Sequence, residues 1–215
     1  MSAAAGAMLT LYYAPDTCAL ASHIALRDAG ASYSLQRIDF GSGEQRSPGY
    51  LKINAKGRVP ALVTPRGVIT ETPAILAFIA HSFPEARLAP LEDSFAFAEL
   101  QAFNSYLCAT LHIAHSHRMR GDRWASETSS FADMQRKVPQ SVGACYDLIE
   151  TQMLKGPWVM GAGYSVADPY LFTLAQWLEA DGVDPGRVPR IVAHRARMAA
   201  RTSVSKAIAE ELATG

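Results

Sequence analysis

The stretch that decides the fold is Tyr12-Tyr13-Ala14-Pro15-Asp16-Thr17-Cys18-Ala19-Leu20-Ala21-Ser22. An apolar, β-prone run (8–13) ends here at a Pro-Asp-Thr turn, and Cys18 opens a predicted helix. A thiol in the first turn of a helix faces unpaired backbone N–H groups and the positive end of the helix dipole, and both favour the thiolate. The alternative is a small, buried, unreactive cysteine. The preceding strand, the turn and the capping residue Thr17 favour the reactive thiol.

Composition narrows the class of protein. The 215 residues include 20 basic and 20 acidic side chains, so the net charge of zero predicts neither a nucleic-acid nor a membrane partner. Three widely spaced cysteines without a C-x-x-C pair argue against a disulfide framework and against zinc. Residues 1–7 make a poor signal peptide, and no apolar run approaches the ~18 residues of a membrane span. We therefore expect a cytoplasmic protein with a flexible tail at 1–7.

The rest of the chain divides into two parts. Residues 8–84 alternate β-like and helical runs, which predicts a mixed sheet with helices packed on it. A proline-bracketed linker follows at 85–92, and residues 93–215 are almost entirely helical, with Pro139 expected to kink or divide the second helix. The predicted strands are 8–13, 33–38, 60–64 and 68–69, and the predicted helices are 18–29, 48–53, 72–83, 93–117, 125–154, 165–180, 188–200 and 203–213.

A second informative motif is Lys56-Gly57-Arg58-Val59-Pro60-Ala61-Leu62. Pro60 cannot donate a hydrogen bond to a sheet, so it belongs at the start or edge of a strand. A cis bond before it would present the Val59 backbone N–H and C=O to a ligand, with which a peptide could pair as an added strand. The motif by itself leaves the isomer open.

A third motif is Thr70-Glu71-Thr72-Pro73-Ala74-Ile75. Thr72 is a natural N-cap, with Pro73 at the first helical position. The free N–H groups of such a helix start can receive a carboxylate, and Glu71 suits an ammonium group. The motif predicts a receptor for the zwitterionic end of an α-amino acid, and the alternative is an ordinary capped helix beside a solvated glutamate.

Of two further motifs, the first is interpreted without a catalytic role and the second without a metal. Ser165-Val166-Ala167-Asp168 is a capping box with Asp at its last position, which predicts a folding element. His112-Ile113-Ala114-His115-Ser116-His117 places two histidines on one helix face, but no acidic residue or cysteine accompanies them at matching spacing. We expect a polar cleft wall there, or for His115 and His117 a solvated face, and no metal.

In this order the motifs resemble those of the cytosolic glutathione S-transferases, most closely the bacterial beta class with a cysteine in the active site. The resemblance extends from residue 8 to about residue 212. It implies an α+β thioredoxin-like N-terminal domain followed by an all-α C-terminal domain. It also implies a homodimer, glutathione as cosubstrate with no metal, and a transferase that acts in detoxification on a small hydrophobic electrophile or a disulfide.

The resemblance also implies roles for individual residues. Pro60 is expected to be cis, with Val59 pairing to the cysteinyl backbone of glutathione and Glu71 and Thr72 holding the γ-glutamyl end. Cys18 would lie beside the glutathione sulfur, hydrogen-bonding it or forming a mixed disulfide. The expected catalytic residues are Cys18 and His112, and the other expected binding residues are Thr17, Arg58, Ser105 (where the family has an asparagine of the partner subunit), His112 and Trp177.

Departures from the family pattern keep alternatives open. Ile113 follows His112 where lysine is common, and the loop at 40–43 lacks the expected basic residue, so Gln45 or Arg46 would have to reach in. The main hypothesis covers conjugation to electrophiles or monothiol exchange through Cys18. One alternative is a non-catalytic binding or regulatory protein of the same fold. Another is a glutathione-dependent isomerase or dehalogenase with an arginine-rich pocket, for which Arg118, Arg120 and Arg123 are candidates unless they form a solvated basic face.

Overall fold

The computed structural model describes residues 8–213, so the predicted tail at 1–7 lies outside the described residues. The strands are β1 (Leu9–Tyr13), β2 (Tyr33–Arg37), β3 (Ala61–Thr64) and β4 (Gly67–Thr70). The helices are α1 (Ala19–Asp28), α2 (Pro48–Ile53), α3 (Thr72–Ser82), α4 (Ser94–Tyr106), α5 (His112–Ser116), α6 (Thr128–Leu148), α7 (Ala167–Ala175), α8 (Pro189–Ala199) and α9 (Thr202–Ala213). The α+β sheet followed by helices confirms the predicted fold class.

The sheet is mixed, as the pattern predicted. Its strand order is β2-β1-β3-β4, with β1 parallel to β2 and the remaining pairs antiparallel. The side chains of Leu9, Leu11 and Tyr13 are buried while those between them are half-buried, so one face of β1 packs into the core. Strand β1 is a central strand and ends just before the Pro-Asp-Thr turn. Cys18, which follows the turn, therefore lies near the C-terminal end of this strand.

Helix α1 lies between the sheet part and the helical part. Its residues 19–26 are all buried, and it contacts α3 on one side and α7 and α9 on the other. A helix that is buried all round must be surrounded by other elements. The residue at its N-terminal end therefore opens onto the junction of the two parts.

Pro139 does not divide the second long helix, so that part of the expectation is wrong. Helix α6 runs from Thr128 to Leu148 with Pro139 inside it. A proline within a helix leaves the carbonyl four residues earlier without its N–H partner. That carbonyl belongs to Gln135, and both residues lie on the exposed side of α6, so the carbonyl without a helical partner is not buried.

The capping-box motif forms a buried hydrogen-bond cluster at the start of α7. The Asp168 carboxylate is fully buried and accepts hydrogen bonds from the Val159 N–H (2.7 Å) and the Ser165 N–H (2.7 Å). It also lies 3.2 Å from the Ser165 hydroxyl and 2.9 Å from Nε2 of His194. The cluster joins α7, α8 and the preceding loop, and its role in folding stays a prediction.

A second buried cluster fastens the last helix to the first. Nδ1 of His23, on α1, lies 3.1 Å from Oε1 of Glu211, on α9. Nε2 of the same ring lies 3.1 Å from the Tyr33 hydroxyl and 3.1 Å from Oε2 of Glu210, while Arg27 pairs with Glu210 at 2.5 Å. Because His23 is fully buried, its two ring nitrogens depend on these partners.

Among residues 8–213, no helix combines the length and the hydropathy that a membrane crossing requires.

Candidate functional site

The residues predicted for a binding site meet at one cavity of about 440 Å³ between the sheet part and the helical part. The predicted residues that line it are Thr17, Cys18, Arg58, Val59, Pro60, Glu71, Thr72, His112 and Trp177. Ser105 lies elsewhere, exposed on α4, and its contribution to a partner subunit's site stays a prediction. Segments far apart in sequence thus converge on a single space.

The turn before α1 fixes the position of the thiol. The Thr17 hydroxyl donates to the Ala14 carbonyl (2.7 Å) and accepts from the Ala19 N–H (3.3 Å). Helix α1 begins at Ala19, so Cys18 is the residue that caps it. The Cys18 side chain is buried, and its Sγ donates to the Val59 carbonyl at 3.7 Å.

The expectation of a Cys18 thiolate is wrong. Burial raises the pKa of Cys18 from an ordinary value of 9.0 to about 11, and a hydrogen bond with Thr72 offsets only part of this. Burial raises the free energy of the Cys18 thiolate by more than the hydrogen bonds around it lower that free energy. Cys18 is therefore an un-ionised thiol at neutral pH.

The loop before β3 presents the Val59 backbone to the cavity. The Val59–Pro60 bond is cis, as the resemblance implied. The Arg58 carbonyl accepts hydrogen bonds from the Tyr50 hydroxyl (2.7 Å) and from Nδ2 of Asn54 (2.6 Å). These two donors anchor the residue directly before Val59 and hold the loop in place.

The start of α3 differs from the prediction by one residue. Thr72 is the first residue of the helix and Glu71 precedes it as the cap, without a side-chain capping bond. The first helical hydrogen bond is donated by the Ile75 N–H to the Glu71 carbonyl, because the backbone reverses at Glu71, where φ is 73°. Free N–H groups therefore remain at the helix start, as a carboxylate receptor requires.

Lys56 is a site neighbour that the sequence reasoning did not single out. Its Nζ lies 2.5 Å from Oε1 of Glu71 and 2.6 Å from the Thr70 hydroxyl. Both charged side chains are about half exposed, so the pair contributes little to stability. The Glu71 carboxylate thus already binds an ammonium group, which is the chemistry predicted for it.

The histidine expected near the substrate lies on the helical side of the cavity. Burial lowers the pKa of His112 from 6.5 to about 4, and the positive charges of Arg120, Arg123 and Arg58 act in the same direction, as does His115. His112 is therefore neutral at physiological pH. Its ring centroid lies 5.6 Å from that of Trp177.

Trp177 is held on both sides. Its Nε1 donates to Oδ1 of Asp16 at 2.8 Å, and the His115 ring stacks on its indole at a centroid distance of 4.2 Å. Nδ1 of His115 in turn lies 2.8 Å from Oδ2 of Asp181. Trp177 is a fixed wall of the cavity that joins the sheet part, through Asp16, to the helical part.

The sequence reasoning also missed Cys108 and Tyr170, which line the cavity with Cys18. Cys108 lies on a π-helical turn (Leu107–Leu111) between α4 and α5, and burial raises the pKa of its thiol while a hydrogen bond with Tyr170 lowers it. A π-turn shifts side chains off the ordinary helical spacing, so periodicity gave no signal for Cys108. Gln45 and Arg46 also line the cavity, as one expectation required.

No group of three or more His, Cys, Asp or Glu side chains within residues 8–213 is arranged to hold a metal ion.

Comparison with known proteins points to one family. The model for the N-terminal domain of glutathione S-transferases matches residues 7–81. GstA, a glutathione S-transferase of Escherichia coli O157:H7, is 29% identical over 207 residues, which cover 94% of this chain and 98% of the relative.

Solved structures extend the similarity over the whole fold. A glutathione transferase homolog from Sulfitobacter, with bound glutathione, is 45% identical with a TM-score of 0.91, covering 94% of this chain and 98% of that chain. A beta-class glutathione S-transferase of Sphingomonas chungbukensis is 30% identical with a TM-score of 0.81 and the same coverage.

Proposed function

Because the chain belongs to the glutathione S-transferase family, we propose that it conjugates glutathione to an electrophile, with Cys18 donating a hydrogen bond to the glutathione sulfur. Relatives named glutathione S-transferases match over nearly their full length, so the chain is an enzyme with glutathione as its cosubstrate. The observation that carries the role of Cys18 is its burial beside the Val59 carbonyl as an un-ionised thiol.

The cavity accounts for each part of the tripeptide. The Val59 backbone pairs with the cysteinyl residue, as an added strand does. The free N–H groups at the start of α3 receive the γ-glutamyl carboxylate, and Glu71 receives its ammonium group in place of Lys56. Arg46, with Gln45 beside it, receives the glycyl carboxylate. Cys18 then lies beside the glutathione sulfur, where its S–H stabilises the thiolate.

The protonation state of Cys18 favours conjugation over exchange. A mixed disulfide forms when a thiolate attacks, and raising the pKa of Cys18 to about 11 depletes its thiolate. Neutral His112, across the cavity, offers an N–H or a lone pair to the sulfur or the leaving group. Disulfide exchange is the second candidate, and the observation that favours it is the second thiol, Cys108, in the same cavity.

Two substitutions of Cys18 test this role. Cys18→Ser keeps a donor at the glutathione sulfur, so we expect transfer to a chloronitrobenzene to stay within a few-fold of wild type. Cys18→Ala removes the donor, and we expect the pKa of bound glutathione, followed by thiolate absorbance, to rise by about one unit, as for a charge-assisted hydrogen bond. Cys145→Ser, on α6, is the matched control. Equal loss of activity in both Cys18 variants would assign Cys18 as a nucleophile and overturn the proposal.

Alkylation gives an independent measurement. With a pKa of about 11 instead of 9.0, the thiolate fraction of Cys18 at pH 8 is roughly a hundredfold smaller. Iodoacetamide should therefore modify Cys18 about a hundredfold more slowly than an ordinary thiol, as followed by peptide mass spectrometry. A rate at or above that of free glutathione contradicts the un-ionised thiol.

We further propose that the protein is a cytoplasmic homodimer and that it acts in detoxification. Large apolar side chains stand exposed, with Phe95 at 74% on α4 and Val68 at 41% on β4, and a second copy would cover such side chains. Sedimentation equilibrium tests the dimer, since Phe95→Glu should shift the protein toward the monomer. A wild-type monomer at micromolar concentration refutes this part.

A further inference from the structure

We propose that the second substrate carries an anionic group, a carboxylate or a sulfonate, and that Arg120 and Arg123 bind it. The inference rests on the proposed function, because it takes glutathione to occupy the sheet side of the same cavity. It names the class of the electrophile, which the family membership leaves open.

The cavity holds cationic charge that the protein does not neutralise. Four arginines line it: Arg46, Arg58, Arg120 and Arg123. Within residues 8–213, none of the four forms an ion pair shorter than 4.0 Å with a carboxylate.

The acidic side chains that line the cavity are already engaged or exposed. Asp16 binds the indole N–H of Trp177, and Glu71 binds Lys56. Asp122 is exposed, and its charge only partly offsets those of the arginines around Arg123, whose pKa is lowered by burial and by Arg120. Arg123 is also exposed, so solvent screens part of the remaining positive potential, and what is left favours anionic over neutral ligands.

Glutathione accounts for the cationic charge on one side only. Arg46 and Arg58 line the cavity from the segment between β2 and β3, the side on which we place the glycyl carboxylate. Arg120 and Arg123 come from the segment between α5 and α6, on the helical side. Their charges act on His112, and that of Arg120 also acts on Cys18. Arg120 and Arg123 thus line the same cavity as Cys18 from the helical side, where we place the second substrate.

The segment that carries these arginines is packed in place. Gly121, between them, is buried, and a Cβ on it would lie 2.9 Å from Cδ1 of Phe131 on α6. The Arg120 N–H donates to the Ser116 carbonyl (2.9 Å), and the Arg123 N–H donates to the Arg120 carbonyl (3.1 Å). A backbone ordered in advance lowers the entropy cost of binding.

Binding of glutathione and two of its S-substituted derivatives tests the inference without requiring turnover. The probes are glutathione, S-benzylglutathione and S-(4-carboxybenzyl)glutathione, with dissociation constants measured by calorimetry for the wild type, the double variant Arg120→Gln/Arg123→Gln, its Arg→Lys counterpart and the control Arg136→Gln. Arg136 lies on the exposed face of α6, paired with Asp133.

We expect the wild type to bind the carboxybenzyl derivative more tightly than the benzyl derivative. The Gln double variant should lose about ten- to a hundredfold in affinity for the carboxybenzyl derivative, which is the range for hydrogen bonds to charged groups, and little for the other two probes. The Lys variant should recover part of the loss, and added salt should weaken only the anionic probe.

The other outcomes are separable. Equal losses for both benzyl derivatives, with glutathione unchanged, would overturn the anion site and leave the arginines a general role in the pocket. A loss for glutathione of the same size would assign them to its own carboxylate. If the wild type binds none of the probes, the proposed function fails, whereas binding of glutathione without preference for the carboxybenzyl group refutes the further inference alone.

Discussion

His112 should make the protein lose stability in mildly acidic solution. Its pKa is about 4 in the folded protein against 6.5 for an ordinary histidine, chiefly because of burial. Between these values the unfolded chain binds a proton that the folded protein rejects, so the free energy of unfolding falls as the pH falls. The full shift corresponds to about 3 kcal/mol, of which about 2 kcal/mol is lost between pH 7 and pH 5.

Urea unfolding at pH 7, 6 and 5 measures this contribution. His112→Gln removes the titrating group, so the variant's free energy of unfolding should fall by about 2 kcal/mol less than that of the wild type over the range. Because the comparison uses the slope of the free energy of unfolding against pH, any pH-independent loss of stability in the variant cancels. His81→Gln, at an exposed position on α3, is the matched control and should leave the wild-type slope unchanged.

A direct NMR titration of His112 separates its protonation from that of other groups, which could mask its effect on the free energy of unfolding. The carbon-bound ring protons of His112, assigned by loss of their signal in His112→Gln, should keep the neutral chemical shift down to pH 5. Titration above pH 6, or parallel unfolding profiles for wild type and variant, would refute the argument from burial and neighbouring charge.

Three further predictions follow from the described contacts. Asp168→Ala leaves the Val159 N–H and other buried donors without an acceptor, so urea unfolding should show a loss of about 3 kcal/mol or more; a loss below 1 kcal/mol contradicts the cluster's role. Gly182→Ala forces a side chain at φ 74° and 3.0 Å from Cγ of Pro139, so the melting temperature should fall in line with about 1–2 kcal/mol, and no change refutes the packing. Glu71→Gln should weaken glutathione about tenfold or more by calorimetry, and unchanged affinity contradicts its binding of the ammonium group.

The sheet part could be predicted closely because its signals are local. Strand alternation, the Pro-Asp-Thr turn and the Thr72-Pro73 helix start each depend on a few neighbouring residues. The cap at α3 was placed one residue late because the reversal at Glu71 requires a positive φ, for which a glutamate gives no sequence signal.

The chemistry of the site was less predictable, since it depends on burial. The start of α1 was predicted to within one residue, since the helix begins at Ala19 with Cys18 and not Thr17 as its cap, yet the pKa of the Cys18 thiol moves opposite to the expectation once the residue is enclosed. Likewise, Cys108 and Tyr170 reach the cavity through the packing of the helical part on the sheet part. Contacts of this kind lie far apart in sequence, and periodicity carries no information about them.

The buried histidine on α1 has a consequence for folding during synthesis. His23 lies 188 residues before its partner Glu211, so all the elements from β2 to α8 are synthesised before the partner exists. Until α9 docks, the imidazole and the apolar face of α1 lack part of their final surroundings, and contacts of such long range form late. Native burial of α1 is therefore completed only after α9 has left the ribosome and docked on it.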